Sequence, residues 1–82
     1  MRFKYFPETD SLTIKLNDKK SVDSVELSNG VITDLDENDN IVGIEIYSVK
    51  DNINLSDFIF DNLPVSSINF LKSKNINYSQ TV

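Results

Sequence analysis

The sequence predicts a single α+β domain, in which a five-stranded antiparallel β-meander is followed by two short C-terminal α-helices packed on the sheet. Three observations lead to this fold class. The chain has 82 residues, which is the size of one domain. Apolar and polar residues alternate with a period of two over residues 1–47, as they do in half-buried strands. Over residues 54–74 the apolar residues instead follow a helical period.

Five segments of the first half are predicted to be strands because apolar, often β-branched, residues alternate along them. The links between them are short and contain turn residues, such as Pro7 and the Asn29-Gly30 pair. Parallel neighbours would need crossovers of about a dozen residues or more, so the strands are expected to be antiparallel. The apolar positions that define the five strands are Phe3 and Tyr5; Leu12, Ile14 and Leu16; Val22, Val25 and Leu27; Val31 to Leu35; and Ile41 to Tyr47.

The second half predicts two helices separated by a proline. Residues 54–63 form the first, with Ser56 as its N-cap. Pro64 ends this helix and fits the first turn of the second, which runs to Lys74 and is followed by a frayed polar tail over residues 75–82. Helices this short are unstable alone, so their apolar side chains are expected to cover the sheet. These side chains are Leu55, Phe58, Ile59, Phe60 and Leu63, then Val65, Ile68, Phe70 and Leu71.

The composition disfavours several classes of function. The chain has no histidine and no cysteine, the commonest general base and the thiolate nucleophile, so we expect no enzyme activity and no cofactor. Thirteen acidic residues against eight basic ones give a net charge of −5, which disfavours nucleic acid and suits a basic protein partner. No apolar run approaches the ~20 residues that span a bilayer. We therefore expect a cytoplasmic protein that does not contact membranes.

An acidic segment over residues 34–45 resembles a calcium-binding loop. Oxygen-bearing side chains stand at the first, third, fifth and twelfth positions, as in an EF-hand: Asp34, Asp36, Asn38 and Glu45. Asp39, however, occupies the position of the glycine that permits the turn around the ion. The segment also lies between two predicted strands, whereas an EF-hand loop lies between helices.

A β-hairpin explains the same residues without a metal ion. Asp36 and Asn40 would close the hairpin, and Asp39 would take a left-handed conformation, which aspartate tolerates better than most residues. In that register Ile32 faces Ile44 and Leu35 faces Ile41, so that apolar side chains pair across the strands. The sequence therefore predicts a hairpin and no metal site.

The carboxylates of this hairpin are the candidate partner-binding surface. Their charge exceeds what the turn needs, since asparagine or glycine would serve it as well. Two further interpretations stay open: the charges only protect the hairpin from aggregation, or the protein is a homo-oligomer that associates through an exposed edge strand. A calcium-responsive or carboxylate-dependent enzyme is the third alternative. The candidate residues are Asp34, Asp36, Glu37, Asp39 and Glu45.

Two motifs within residues 5–46 resemble the DUF2283 family of small prokaryotic proteins. The first is Tyr5-Phe-Pro-Glu-Thr-Asp-Ser-Leu-Thr-Ile, and the second is Gly30-Val-Ile-Thr-Asp-Leu-Asp-Glu-Asn-Asp-Asn-Ile-Val-Gly-Ile-Glu-Ile. This chain has Phe6 where the family has an aspartate and Asp39 where the family has a turn glycine. It also extends past the family's usual end. The resemblance implies an antitoxin-type or inhibitory role, because members often look like partners of small toxin-like proteins.

Overall fold

The computed structural model of the chain describes residues 1–71, which contain one five-stranded sheet and one short helix. Every pair of neighbouring strands is antiparallel, as the short links predicted. The elements are β1 (Arg2–Phe6), β2 (Ser11–Lys15), β3 (Asp23–Ser28), β4 (Val31–Leu35), β5 (Ile41–Ile46) and α1 (Val49–Asn52).

The strand order departs from a simple meander. The order across the sheet is β1-β2-β5-β4-β3, so the hairpin of β1 and β2 lies beside a three-stranded meander of β3, β4 and β5. The link over residues 16–22 carries the chain from β2 to the far edge, and the chain then returns strand by strand until β5 pairs with β2. As a result β1 and β3 are the two edge strands.

A β-bulge shifts the register of the predicted hairpin by one residue. Leu35 pairs with Ile41 as predicted, but Ile32 pairs with Glu45, which makes the predicted pairing of Ile32 with Ile44 wrong. The register shifts between Asp34, which pairs with Gly43, and Leu35, which pairs with Ile41, so β5 has one extra residue between these two pairs. Such an insertion bends the strand and displaces every later pair, which alternation alone does not reveal.

The two faces of the sheet differ in polarity because alternate residues point to opposite sides and paired residues share a side. On the apolar face, one row across the sheet consists of Phe3, Ile14, Ile44, Thr33 and Val25. On the opposite face, here called the polar face, the rows are Arg2, Lys15, Gly43, Asp34 and Ser24, and then Lys4, Thr13, Glu45, Ile32 and Glu26.

The core is small. Among the described residues, the buried apolar side chains are Leu12, Val42 and Val49. Val49 lies in α1, a helix that the strand pattern did not predict, and it is completely buried. Its backbone N–H donates to the carbonyl oxygen of Asp10 at 3.1 Å, which ties α1 to the turn between β1 and β2.

The prediction of two C-terminal helices is wrong for the residues that the structure describes. Residues 53–71 contain no helix, and most of their apolar side chains are exposed rather than packed on the sheet. One of these side chains does reach the sheet: the ring of Phe58 lies edge-on against Phe3, 6.2 Å between centroids. The predicted end of the second helix at Lys72 and Lys74 and the tail over 75–82 lie outside the described residues.

Local chemistry explains why the helical spacing does not produce a helix. The segment is rich in Asn, Asp, Ser, Ile and Phe, which are mediocre helix formers. The predicted cap residue Ser56 donates its backbone N–H to the Asn54 side chain at 3.0 Å, a local turn that competes with helical hydrogen bonding. Asn62 takes a left-handed conformation (φ 59°) two residues before Pro64, which interrupts any helical run. Among the described residues, no helix is long and apolar enough to cross a membrane.

Candidate functional site

The hairpin between β4 and β5 is built around the Asp36 carboxylate. The backbone N–H groups of Asn38 and Asn40 both donate to Asp36 Oδ1 at 2.9 Å, and Asp36 donates its own N–H to the carbonyl oxygen of Asn40. Asp39 is left-handed (φ 63°), as the hairpin interpretation predicted. The hydrogen bond from the Asn40 backbone is the main cause that lowers the pKa of Asp36. Asp36 is only 6% exposed, so its carboxylate shapes the turn and offers little to a partner.

The other four predicted residues separate into two places. Glu37 and Asp39 are exposed at the tip of the hairpin. Asp34 and Glu45 lie on the polar face of the sheet, in neighbouring rows of the adjacent strands β4 and β5. The predicted surface is therefore two carboxylates on the sheet and two on the tip, with Asp36 holding the turn between them.

Asp34 and Glu45 interact directly. A hydrogen bond to Asp34 raises the pKa of Glu45, and partial burial and the Asp34 charge raise it further; the hydrogen bond from Tyr47 acts in the opposite direction. The hydroxyl of Tyr47 donates to Glu45 Oε1 at 3.3 Å, and the hydroxyl of Ser24 donates to Asp34 Oδ1 at 2.9 Å. Among the described residues, the other hydrogen-bond partners of the pair are the two hydroxyl groups, so the carboxylates repel each other when both are ionised, an arrangement that attracts a cation.

Gly43 leaves the space that Asp34 occupies. A Cβ atom on Gly43 would stand 3.1 Å from Asp34 Oδ2 and 3.3 Å from the carbonyl oxygen of Ile14. The bulge places Gly43 opposite Asp34, so the carboxylate lies over a residue without a side chain. The register shift and the glycine together set the position of Asp34 on the face.

We define the acidic strip as Asp34, Glu45 and Glu26, which lie on the three adjacent strands β4, β5 and β3. Glu26 is exposed and belongs to the same row as Glu45. Glu26 is not among the residues predicted from the sequence, because its place beside the others depends on the strand order. Within residues 1–71, no group of three or more carboxylates is close enough together to hold a metal ion.

A second polar cluster, which was not predicted from the sequence, joins the β1–β2 turn to α1. The hydroxyl of Tyr5 donates to Asp10 Oδ1 at 2.7 Å, and the backbone N–H of Lys50 donates to Asp10 Oδ2 at 3.2 Å. The hydrogen bond from Tyr5 is the main cause that lowers the pKa of Asp10. The cluster ties α1, and with it the buried Val49, to the turn between β1 and β2. The signal for it was the Tyr5-to-Asp10 spacing in the first motif.

These pKa shifts predict a melting temperature that is highest in mildly acidic solution. The pKa of Glu45 lies above its ordinary value of 4.5, so the stability it contributes is present below that value and is lost as pH rises through the folded pKa. Asp10 and Asp36 have lowered pKa values, so their contribution is present above 3.8 and is lost as pH falls through the folded pKa. Thermal melts should therefore rise slightly as pH falls from neutral toward 4.5, the ordinary pKa of Glu45, and fall again below 3.8, the ordinary pKa of Asp10 and Asp36.

Glu45→Gln isolates the first of these effects. The variant should melt at a higher temperature than wild type near neutral pH and should lose the rise that wild type shows as pH falls toward 4.5, because it carries no ionisable group at position 45 beside Asp34. The fall in more acidic solution should stay, since Asp10 and Asp36 are unchanged. A variant that melts below wild type at neutral pH would contradict the electrostatic origin of the Glu45 shift.

Comparison with known proteins finds one family. A family model described as "Protein of unknown function (DUF2283)" matches residues 2–50, which is more than half of the chain and includes the whole sheet and the start of α1. No curated protein and no solved structure matches the chain.

Proposed function

The chain belongs to the DUF2283 family, and from its acidic strip we propose that it is a small, non-catalytic cytoplasmic module that binds and inhibits a basic, toxin-like protein. The observation that carries the proposal is the pair formed by Asp34 and Glu45. Its carboxylates lie side by side on the polar face, and Glu45 holds its proton more tightly because of Asp34. A lysine or arginine of a partner would relieve this repulsion, so the pair is better suited to a complex than to the free domain.

Two features support a binding role for the strip over one for the hairpin tip. The strip lies on a rigid sheet, where hydrogen bonds from Ser24 and Tyr47 orient the two carboxylates. Glu37 and Asp39 at the tip are exposed, and the turn that carries them is already stabilised by Asp36. Oriented charges give a partner a defined geometry, whereas tip charges mainly contribute to long-range attraction.

Two double variants test the proposal with equal changes in net charge. The strip variant is Asp34→Asn with Glu45→Gln, and the tip variant is Glu37→Gln with Asp39→Asn. Each removes two negative charges and keeps the shape of the side chains, so both should melt at or above the wild-type temperature. Wild-type protein is used to isolate a basic partner from the source cell, and association rates with that purified partner are then measured at low and high salt. We expect the strip variant to associate at least about tenfold more slowly at low salt.

The tip variant should retain an association rate within a few-fold of wild type. If it is the slower of the two, the partner contacts the hairpin tip and not the strip. Equal rates for all three proteins would show that carboxylates do not guide binding. The proposal would also be refuted if the strip variant inhibited the partner as strongly as wild type does.

A homo-oligomer that associates through an edge strand is the second candidate. All six residues of β3 are exposed, and within residues 1–71 this strand pairs with β4 on one side only. A free edge offers backbone N–H and carbonyl groups to another chain. Val22, Val25 and Leu27 add exposed apolar surface along the same edge. These features favour strand pairing between copies, which does not require the acidic strip.

A further inference from the structure

The polar face carries a second charged strip of opposite sign. We define the basic strip as Arg2 and Lys4 on β1 and Lys15 on β2, all three of which are exposed. It occupies one side of the polar face, and the acidic strip occupies the other, on β5, β4 and β3. The face is therefore divided by charge along a line between β2 and β5.

The two strips do not neutralise each other within one molecule. In the part of the chain that the structure describes, no ion pair forms between them. Neighbouring strands are about 4.8 Å apart, so β1 and β4 are separated by roughly 14 Å across the sheet. That distance, which separates Arg2 and Lys4 from Asp34, exceeds the screening length of about 8 Å at physiological ionic strength. Lys15 and Glu45 lie on the adjacent strands β2 and β5, but they are not direct cross-strand partners and, among the described residues, they form no ion pair.

Each strip also contains a like-charge contact that, among the described residues, no opposite charge neutralises. Arg2 and Lys15 are direct cross-strand partners, an arrangement that destabilises a sheet. Asp34 and Glu45 are the corresponding acidic neighbours, and their contact is strong enough to raise the pKa of Glu45. The Lys4 ammonium lies 5.0 Å from the centre of the Phe6 ring and has no carboxylate partner among the described residues.

From this division we infer that the polar face binds a second copy of the chain face to face, with the basic strip of each copy against the acidic strip of the other. A two-fold axis that lies in the interface, parallel to the strands and above the boundary between β2 and β5, exchanges the two sides of the face. It therefore places β1 and β2 of each copy over β4 and β5 of the other, so that the interface contains this contact twice. This is the self-complementarity that a symmetric dimer requires, and it relieves both like-charge contacts at once.

The inference does not depend on the proposed function, but it has a consequence for it. A dimer of this kind covers Asp34 and Glu45, the residues assigned above to a basic partner. Partner binding would then compete with self-association. The dimer and the complex with the basic partner would dissociate at different salt concentrations.

The first test is the solution mass of the full chain by light scattering. At about 0.01 M salt, where the screening length is near 30 Å, we expect a mass approaching twice the 9.3 kDa of the chain. At about 1 M salt, where it is near 3 Å, we expect the monomer. A monomer under both conditions at high protein concentration would overturn the inference.

Charge reversal provides the decisive test. One variant, Lys4→Glu with Lys15→Glu, has a mostly acidic face; the other, Glu26→Lys with Glu45→Lys, has a mostly basic face. Each should be monomeric alone at low salt because its face repels its own copy. Mixed together, they should form a one-to-one dimer at least about tenfold tighter than the wild-type dimer. Failure of the mixture to associate, with both variants folded by circular dichroism, would refute the inference.

Val25→Lys separates this dimer from pairing through the β3 edge. Val25 lies on the apolar face, and a lysine on an edge strand opposes strand pairing. The variant should leave the face-to-face dimer and its salt dependence unchanged. A wild-type dimer that is insensitive to salt and disappears in Val25→Lys would assign association to the edge strand and overturn the inference. If either double variant fails to fold, the wild-type masses at the two salt concentrations decide alone.

Discussion

Replacement of Leu12 by alanine should unfold a large fraction of the protein at room temperature. Leu12 is 5% exposed and is one of three buried apolar residues in the described chain. Removing a buried leucine side chain costs roughly 2–5 kcal/mol, which includes the cavity left behind. A domain of this size with a single small core is stable by about 3–5 kcal/mol in total. The substitution therefore removes most of the free energy that holds the fold together.

Leu27→Ala is the matched control. It deletes the same atoms from β3, but Leu27 is 65% exposed, so its removal should change the free energy of unfolding by less than about 0.5 kcal/mol. Urea titrations followed by circular dichroism measure both variants. Similar losses at the two positions would show that Leu27 is covered in solution, as it would be in an edge-strand oligomer. Little loss at Leu12 would mean that the core lies elsewhere.

The difference between these two leucines illustrates what the sequence could predict. The alternation of apolar and polar residues predicted that both leucines lie in strands. The short links predicted that the strands are antiparallel. Both predictions are confirmed by the structure. Alternation did not distinguish a central strand from an edge. Leu12 lies on β2 between two neighbours, whereas Leu27 lies on the outermost strand. That distinction depends on where the chain goes after β2, which is set by long-range pairing with β5 and not by any local pattern.

The prediction of two C-terminal helices was wrong for a different reason. Helical spacing of apolar residues is necessary for an amphipathic helix, but most of a short helix's stability comes from what its apolar face packs against. Here the apolar side chain that becomes completely buried is Val49 of α1, at a position that the strand pattern assigned to a link, while most apolar side chains of residues 53–71 stay exposed. The Asn54 side chain then engages Ser56 locally, and the residues that follow continue without a helix.

The residues of the candidate site were predicted from the sequence, but their relative positions were not. Asp34 and Glu45 were selected for their charge, and the structure brings them together on one face. Their meeting depends on the one-residue bulge, because without it Ile44 and not Glu45 would lie opposite Ile32. A bulge leaves only a weak trace in sequence. In this chain the trace is Gly43, whose lack of a side chain permits the close approach of Asp34.

Gly43→Ala should consequently destabilise the protein by about 1–3 kcal/mol, the usual cost of adding atoms to a packed site. The new methyl group would meet Asp34 Oδ2 at 3.1 Å and the Ile14 carbonyl oxygen at 3.3 Å. The first contact can be relieved by moving a side chain, but the second involves the backbone of β2 and cannot move without straining the sheet. The variant should melt well below wild type in a thermal scan.

A double-mutant cycle with Asp34→Ala shows how much of this cost comes from the carboxylate. Asp34→Ala removes the oxygen at 3.1 Å and leaves the Ile14 carbonyl in place, so Gly43→Ala should cost less in that background, by about 0.5 kcal/mol or more. Gly30→Ala is the control for glycine replacement in general. Its cost arises from a left-handed backbone (φ 82°), and the nearest atom to its methyl group would be the Tyr47 carbonyl oxygen at 3.5 Å. Its effect should therefore add to that of Asp34→Ala without coupling. If Gly43→Ala and Asp34→Ala are also additive, Asp34 does not lie over Gly43 in solution, and the position of the acidic strip on the polar face would have to be revised.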